Sequence, residues 1–159
     1  VASVQTMARI AALTERAIPY DEWLRRAFAR GSLSVTEAIG QVACEMAAEL
    51  GARAIITSTV TGSTARRVAS HRPATPIVAP TPRLRTFREL ALGWGVGPLL
   101  VDGFSDTDTM IGTATAAARE RGLVQDGDLV IITAGVPLGG TGLTNMIKVH
   151  QVGEEKGWR

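Results

Sequence analysis

The chain has 159 residues, a net charge of +2, and 45% hydrophobic against 20% charged residues. That length holds one core, and that balance belongs to a globular chain and excludes a disordered one. Fifteen of its seventeen basic residues are arginines, yet they are spread among acidic residues, which argues against a nucleic-acid surface.

Val4, Met7, Ile10 and Ile18 recur at helical spacing, so the spacing predicts an amphipathic opening helix that Pro19 ends. Asp21 can cap a second short helix carrying Trp23, Leu24, Ala27 and Phe28, which Gly31 stops. Ser34-Val35-Thr36-Glu37 has the form of a capping box, and the helix it opens presents Val35, Ile39, Val42, Met46 and Leu50 before Gly51. From Arg53 the period changes. Short apolar runs at 54–57, 77–79, 99–101 and 129–134 read as strands, with helices over 64–71, 84–92 and 106–121 between them. This alternation predicts right-handed β-α-β crossovers and a mainly parallel sheet with helices on both faces. A last strand over 145–152 follows a Gly-rich loop too short for a helix, so it should run antiparallel to the fourth.

Cys44, the one cysteine, excludes an internal disulfide framework and suits a reducing, cytoplasmic setting. It lies in a helical pattern among Ala43, Met46 and Ala47, as a buried structural thiol does. No apolar run approaches membrane-spanning length and no signal peptide is recognisable. The lack of an initiating Met reads as a processed or excised chain.

The stretch Thr59-Val60-Thr61-Gly62-Ser63-Thr64-Ala65 carries the functional signal. A strand feeding a small, hydroxyl-rich turn and then a helix suits a phosphate: helix-start amides are unpaired, the dipole favours an anion, and glycine allows close approach. The bland alternative is a turn whose hydroxyls only cap the helix. His71 at a helix end and His150 on the last strand lack the partners that nucleophilic catalysis needs. Trp94, between Gly93 and Gly95, either packs against another domain or subunit or anchors its own loop.

Five segments in order resemble the C-terminal domain of pyruvate kinase of bacterial type: residues 4–15, like the last helix of that family's catalytic barrel; 35–39 with 51–56; 61–65 with Arg72-Pro73 and 76–79; Gly95-Val96 with Pro98; and 144–149. The resemblance implies a three-layer α/β/α fold with a five-stranded mixed sheet in order 3-2-1-4-5, strand 5 antiparallel. Residues 1–30 would be the end of the barrel and a connector, 31–153 the α/β domain and 154–159 a tail. In that order the connections leave strands 1 and 4 in opposite directions, a switch point where the loops after both strands should share one pocket.

By the same resemblance Thr59, Thr61, Gly62, Ser63 and Thr64 bind the phosphate of an allosteric effector, and Gly139, Gly140, Thr141 and Gly142 face them. Ser63 stands where relatives often carry a basic residue, Val60 is apolar, and the 134–143 loop lacks Trp and Arg. These departures favour a sugar monophosphate or AMP over fructose bisphosphate. The family transfers phosphoryl from phosphoenolpyruvate to ADP with Mg²⁺ and K⁺, using groups in the barrel. No cofactor is expected in this chain, which by itself should be catalytically silent and act in regulation and assembly, as part of a homo-oligomer (a tetramer in the full enzyme). The alternatives are a purely structural interface module and a stand-alone phosphate-binding enzyme. Asp102, Asp106 and Asp108 form the tightest acidic cluster, with Asp106 read as a helix-start charge.

Overall fold

In the computed structural model, which describes residues 1–20, 22–23, 34–138 and 143–154, a five-stranded sheet has the order β3-β2-β1-β4-β5. The strands are β1 (Ala54–Thr57), β2 (Ile77–Thr81), β3 (Val96–Leu100), β4 (Leu129–Ala134) and β5 (Met146–Gln151). The first four pair in parallel, and β5 runs antiparallel to β4 in a register of Leu129 with Gln151 and Ala134 with Met146. Two-sided burial explains the composition of the central strands. Ile55 and Ile56 in β1, and Ile131 and Ile132 in β4, are all fully buried, because consecutive side chains meet opposite helical layers.

The helices are α1 (Ala2–Glu15), α2 (Val35–Glu49), α3 (Ser63–Ser70), α4 (Leu84–Leu90) and α5 (Thr107–Glu120). Ile55, Ile77 and Ile131 pack with Ala43, Cys44 and Val68, which sets α2 and α3 on one face. Ala79 meets Leu90 of α4 in a smaller cluster with Ala65 of α3, so α4 lies on that same side. Ile56, Val78, Val130 and Ile132 pack with Met110, Ala114 and Ala118 of α5 on the other. The crossover from β3 to β4 is therefore the one that changes face.

The caps follow the sequence closely. Ser34 accepts from the Glu37 amide while the Glu37 carboxylate accepts from the Ser34 amide at 2.9 Å. Gly51, after α2, takes the left-handed conformation at φ 61° that any other residue would resist. Several expected boundaries shift. The first helix ends at Glu15, short of Ile18, since the residue before Pro19 is biased away from helical geometry. β3 begins at Val96, three residues earlier than the apolar run predicts, because an edge strand tolerates Gly97 and Pro98. β2 continues through Pro80 to Thr81, α3 starts at Ser63, and α4 stops at Leu90. The second helix expected over 21–30 lies outside the described residues, apart from Glu22 and Trp23. Among the described residues, no helix is long and apolar enough to cross a membrane.

No residue of α1 is buried. Val4, Met7, Ile10 and Leu13, spaced by three, are each between 59% and 68% exposed, so this stripe has nothing to pack on within the described residues.

Candidate functional site

β1 and β4 lie side by side and end together, with Thr57 paired to Thr133. The chain leaves β1 toward α3 and leaves β4 toward β5, so the sheet opens between the two exits. A cleft of about 220 Å³ occupies the opening. It is lined by Ser58, Thr59, Val60, Thr61, Ser63 and Thr64 from the loop after β1, and by Ala134, Gly135, Leu138 and Leu143 from the other side. Pro82, Phe104 and Met110 complete an apolar wall. The structure thus brings the loop after β1 and the described part of the loop after β4 together. Gly139, Gly140, Thr141 and Gly142 lie outside the described residues.

The loop's backbone is set by Gly62, the N-cap residue of α3, which sits at φ 82°. A left-handed residue is needed there to turn the chain out of the strand and into the helix, and glycine takes it without strain. Gly62 has no side chain, and no side-chain bond caps α3. Among the described residues, the first-turn amides of Ser63, Thr64 and Ala65 therefore keep their donors free at the positive end of the helix dipole. Capping is not what the loop hydroxyls do. Thr59 Oγ1 accepts the Gly62 amide at 2.9 Å, and Thr61 Oγ1 donates to Ser63 Oγ at 3.1 Å. Thr64 Oγ1 pairs with Thr144 Oγ1 at 2.8 Å. Thr86 Oγ1 reaches across from α4 to the Val60 carbonyl at 2.9 Å and fixes the outer edge of the loop.

Ser58 is the site residue that motif reading missed. It is 92% buried (8% exposed), it lines the cleft, and its Oγ has no hydrogen-bond partner among the described residues. A buried hydroxyl left unpaired is costly, on the order of 1–3 kcal/mol. Alternation from Ile56 places Ser58 on the α5 face of the sheet, beside Met110 and Phe104. The signal available was a serine at the carboxyl end of a buried strand, where an apolar residue would complete the core.

None of the described residues lining the cleft is charged. Beside the loop lies the guanidinium of Arg66 from α3, whose Nη2 donates to the Thr61 carbonyl at 2.6 Å and whose Nη1 lies 3.8 Å from the Glu89 carboxylate. Both side chains are about half exposed, so that ion pair contributes little.

The remaining candidates fall outside the cleft. Asp106 caps α5: its carboxylate accepts from the Thr109 amide at 2.8 Å and from the Ser105 and Thr109 hydroxyls. Those bonds, the Ser105 hydroxyl first, hold its carboxyl at about 2. Among the described residues, no three His, Cys, Asp or Glu side chains gather to hold a metal ion. His71 ends α3, and burial depresses its pKa against the opposing pull of Glu37. His150 on β5 is depressed by burial and then by Lys148. Trp94 is half-buried under the Arg72 guanidinium, 4.3 Å from the ring centroid, which anchors its loop to the end of α3.

The comparisons agree with this geometry. The family profile described as pyruvate kinase, alpha/beta domain, matches residues 37–150. The pyruvate kinase of Clostridium acetobutylicum is 45% identical over 152 residues, which is 96% of this chain and 32% of that protein. That of Staphylococcus epidermidis is 42% identical over 153 residues, or 96% of this chain and 26% of the relative. A crystal structure of a pyruvate kinase from Cryptosporidium parvum superposes with a TM-score of 0.85 at 30% identity, over 94% of this chain and 30% of that one. The chain thus spans between about a quarter and a third of the length of these relatives.

Proposed function

The chain belongs to the pyruvate kinase family, as its alpha/beta domain, and on that premise we propose that it is the regulatory and assembly part of such an enzyme and binds a phosphorylated effector in the cleft between β1 and β4. The observation that carries the proposal is the uncapped start of α3 behind a left-handed Gly62, in one cleft with the Ser58 hydroxyl that no described residue pairs. Free amides, a favourable dipole and a spare buried hydroxyl together offer an anion what water would otherwise supply.

The ligand class follows from the charge count. One helix start offers its amides and partial positive charge to one phosphate, and no charged side chain among the described lining residues waits for a second. A sugar monophosphate or AMP fits better than fructose bisphosphate. In the full-length enzyme this chain would act beside a catalytic barrel that transfers phosphoryl from phosphoenolpyruvate to ADP with Mg²⁺ and K⁺, in the cytoplasm. On this reading the groups for that chemistry belong to the barrel, and the chain by itself is catalytically silent.

Calorimetric titration with ribose 5-phosphate, glucose 6-phosphate, AMP and fructose bisphosphate tests the reading. Saturable heat with a monophosphate, abolished by Gly62→Asp, is expected. Blank titrations with all four would overturn it.

A second role in assembly is favoured by two surfaces. The Val4, Met7, Ile10 and Leu13 stripe of α1 is exposed and suits the barrel domain, while β5 leaves one edge of the sheet unpaired among the described residues, open to another copy. Light scattering should show concentration-dependent dimers; a monomer at every concentration would remove this role.

A further inference from the structure

The Thr64 hydroxyl is buried, 7% exposed, and already engaged with Thr144, eighty residues away in sequence. Thr144 is 1% exposed, and its own amide donates to Thr36 Oγ1 at 3.1 Å. Three threonines therefore form one buried chain from the anion loop, through the residue two before β5, to the first turn of α2. The residues flanking Thr144 extend the connection. Leu143 lines the cleft, and Asn145 Oδ1 accepts the Val136 amide at 2.7 Å while its Nδ2 donates to the Val136 carbonyl at 2.6 Å.

We propose that Thr144 is a positioning residue that orients the Thr64 hydroxyl for the bound anion and carries the occupancy of the cleft to β5 and the start of α2. This inference rests on the phosphate reading of the cleft. A hydroxyl carries one hydrogen and two acceptor lone pairs. With the cleft empty, the Thr64–Thr144 bond is satisfied in either direction. A phosphate accepts only, so it draws the Thr64 hydrogen into the cleft, and Thr144 must then donate to Thr64. Occupancy thereby fixes a direction that is otherwise free, and the bond becomes part of a charge-assisted series. The amide of Thr144, held by Thr36, prevents the residue from turning away to solvent.

The test uses the 159-residue chain and ribose 5-phosphate, with inorganic phosphate as the minimal probe. Thr144→Val keeps the shape and removes the donor. It should weaken ribose 5-phosphate about tenfold, the loss of the one hydrogen bond that orients the Thr64 hydroxyl toward the anion. Thr144→Ser should restore the affinity, which a merely packing role for the threonine methyl would not do. Amide exchange supplies a readout that needs no variant. Binding should slow exchange at Thr144 and in the first turn of α2 while leaving β3 unchanged. Equal affinity of Thr144→Val and the unsubstituted chain, or exchange unaltered at Thr144, overturns the relay and leaves the cleft reading intact. No binding by the unsubstituted chain overturns both.

Discussion

Asn145 holds both polar groups of Val136, accepting its amide at 2.7 Å and donating to its carbonyl at 2.6 Å. The side chain acts as an extra strand residue, prolonging the β4–β5 ladder past Ala134, whose carbonyl accepts the Asn145 amide. Asn145→Asp keeps the acceptor but replaces the donor with a second carboxylate oxygen facing the Val136 carbonyl. At this exposed position the lost bond should cost roughly 1 kcal/mol. Urea denaturation of the two chains measures it. An unchanged midpoint would mean that the loop after β4 is held by other contacts.

Gly135 lies where the loop after β4 meets the segment entering β5. A Cβ on Gly135 would collide with the Leu143 carbonyl oxygen, which is backbone and cannot move aside as cheaply as a flexible side chain. Gly135→Ala should therefore push Leu143 away, widen the cleft and destabilise the fold by about 1–3 kcal/mol, as overpacking does. Thermal melting gives the stability and ribose 5-phosphate calorimetry gives the site. Wild-type values in both would show that the two segments separate freely.

The sheet was legible because its central strands bury both faces: runs such as Ile55-Ile56 and Ile131-Ile132 fit only a strand sandwiched between helices. The apolar run alone started β3 three residues late for the opposite reason, since Gly97 and Pro98 look like breakers unless the strand is known to lie at an edge. At the site, the Gly62 turn was readable from local chemistry. The role of Thr64 was only half visible, because its partner Thr144 is remote in sequence and only the closed sheet brings the two together. Ser58 went unseen because an unpaired hydroxyl is a property of packing, and packing is not written in any one residue. The helical spacing of α1 was legible, yet spacing cannot name the surface that covers its apolar residues.

Cys44 is 1% exposed against β1 and α3, and burial pushes its thiol up to about 12. A protonated, enclosed thiol is a poor nucleophile, so a disulfide-exchange reagent at pH 8 should label it only as fast as the chain unfolds. The linkage sign is definite. The folded pKa lies above the unfolded value of 9.0, so the contribution is full below pH 9 and is lost as pH rises toward 12. The stability difference between the native chain and Cys44→Ala should therefore shrink above pH 9, at up to about 1.4 kcal/mol per pH unit. A difference that stays flat from pH 8 to pH 10.5 would show the thiol to be solvated.

The cap of α5 should control the acid limb of stability. Asp106 is depressed from 3.8 to about 2 by bonds from Ser105 and Thr109 that only the folded helix start provides. Its contribution is present above pH 3.8 and is lost as pH falls through about 2. Two substitutions separate charge from capping. Asp106→Asn retains an oxygen for the Thr109 amide but cannot titrate, so it should melt somewhat below the wild type at pH 7, lose less on acidification and converge with it. Asp106→Ala removes the cap itself and should lower Tm by a few degrees at pH 7. Because α5 carries Met110, which lines the cleft, and Ala114, which packs on Ile132, fraying its first turn should also loosen the cleft's apolar wall. Melting curves at pH 7 and pH 3 for the three chains decide the matter. If Asp106→Asn and the wild type lose the same stability on acidification, the carboxylate is not the group that titrates.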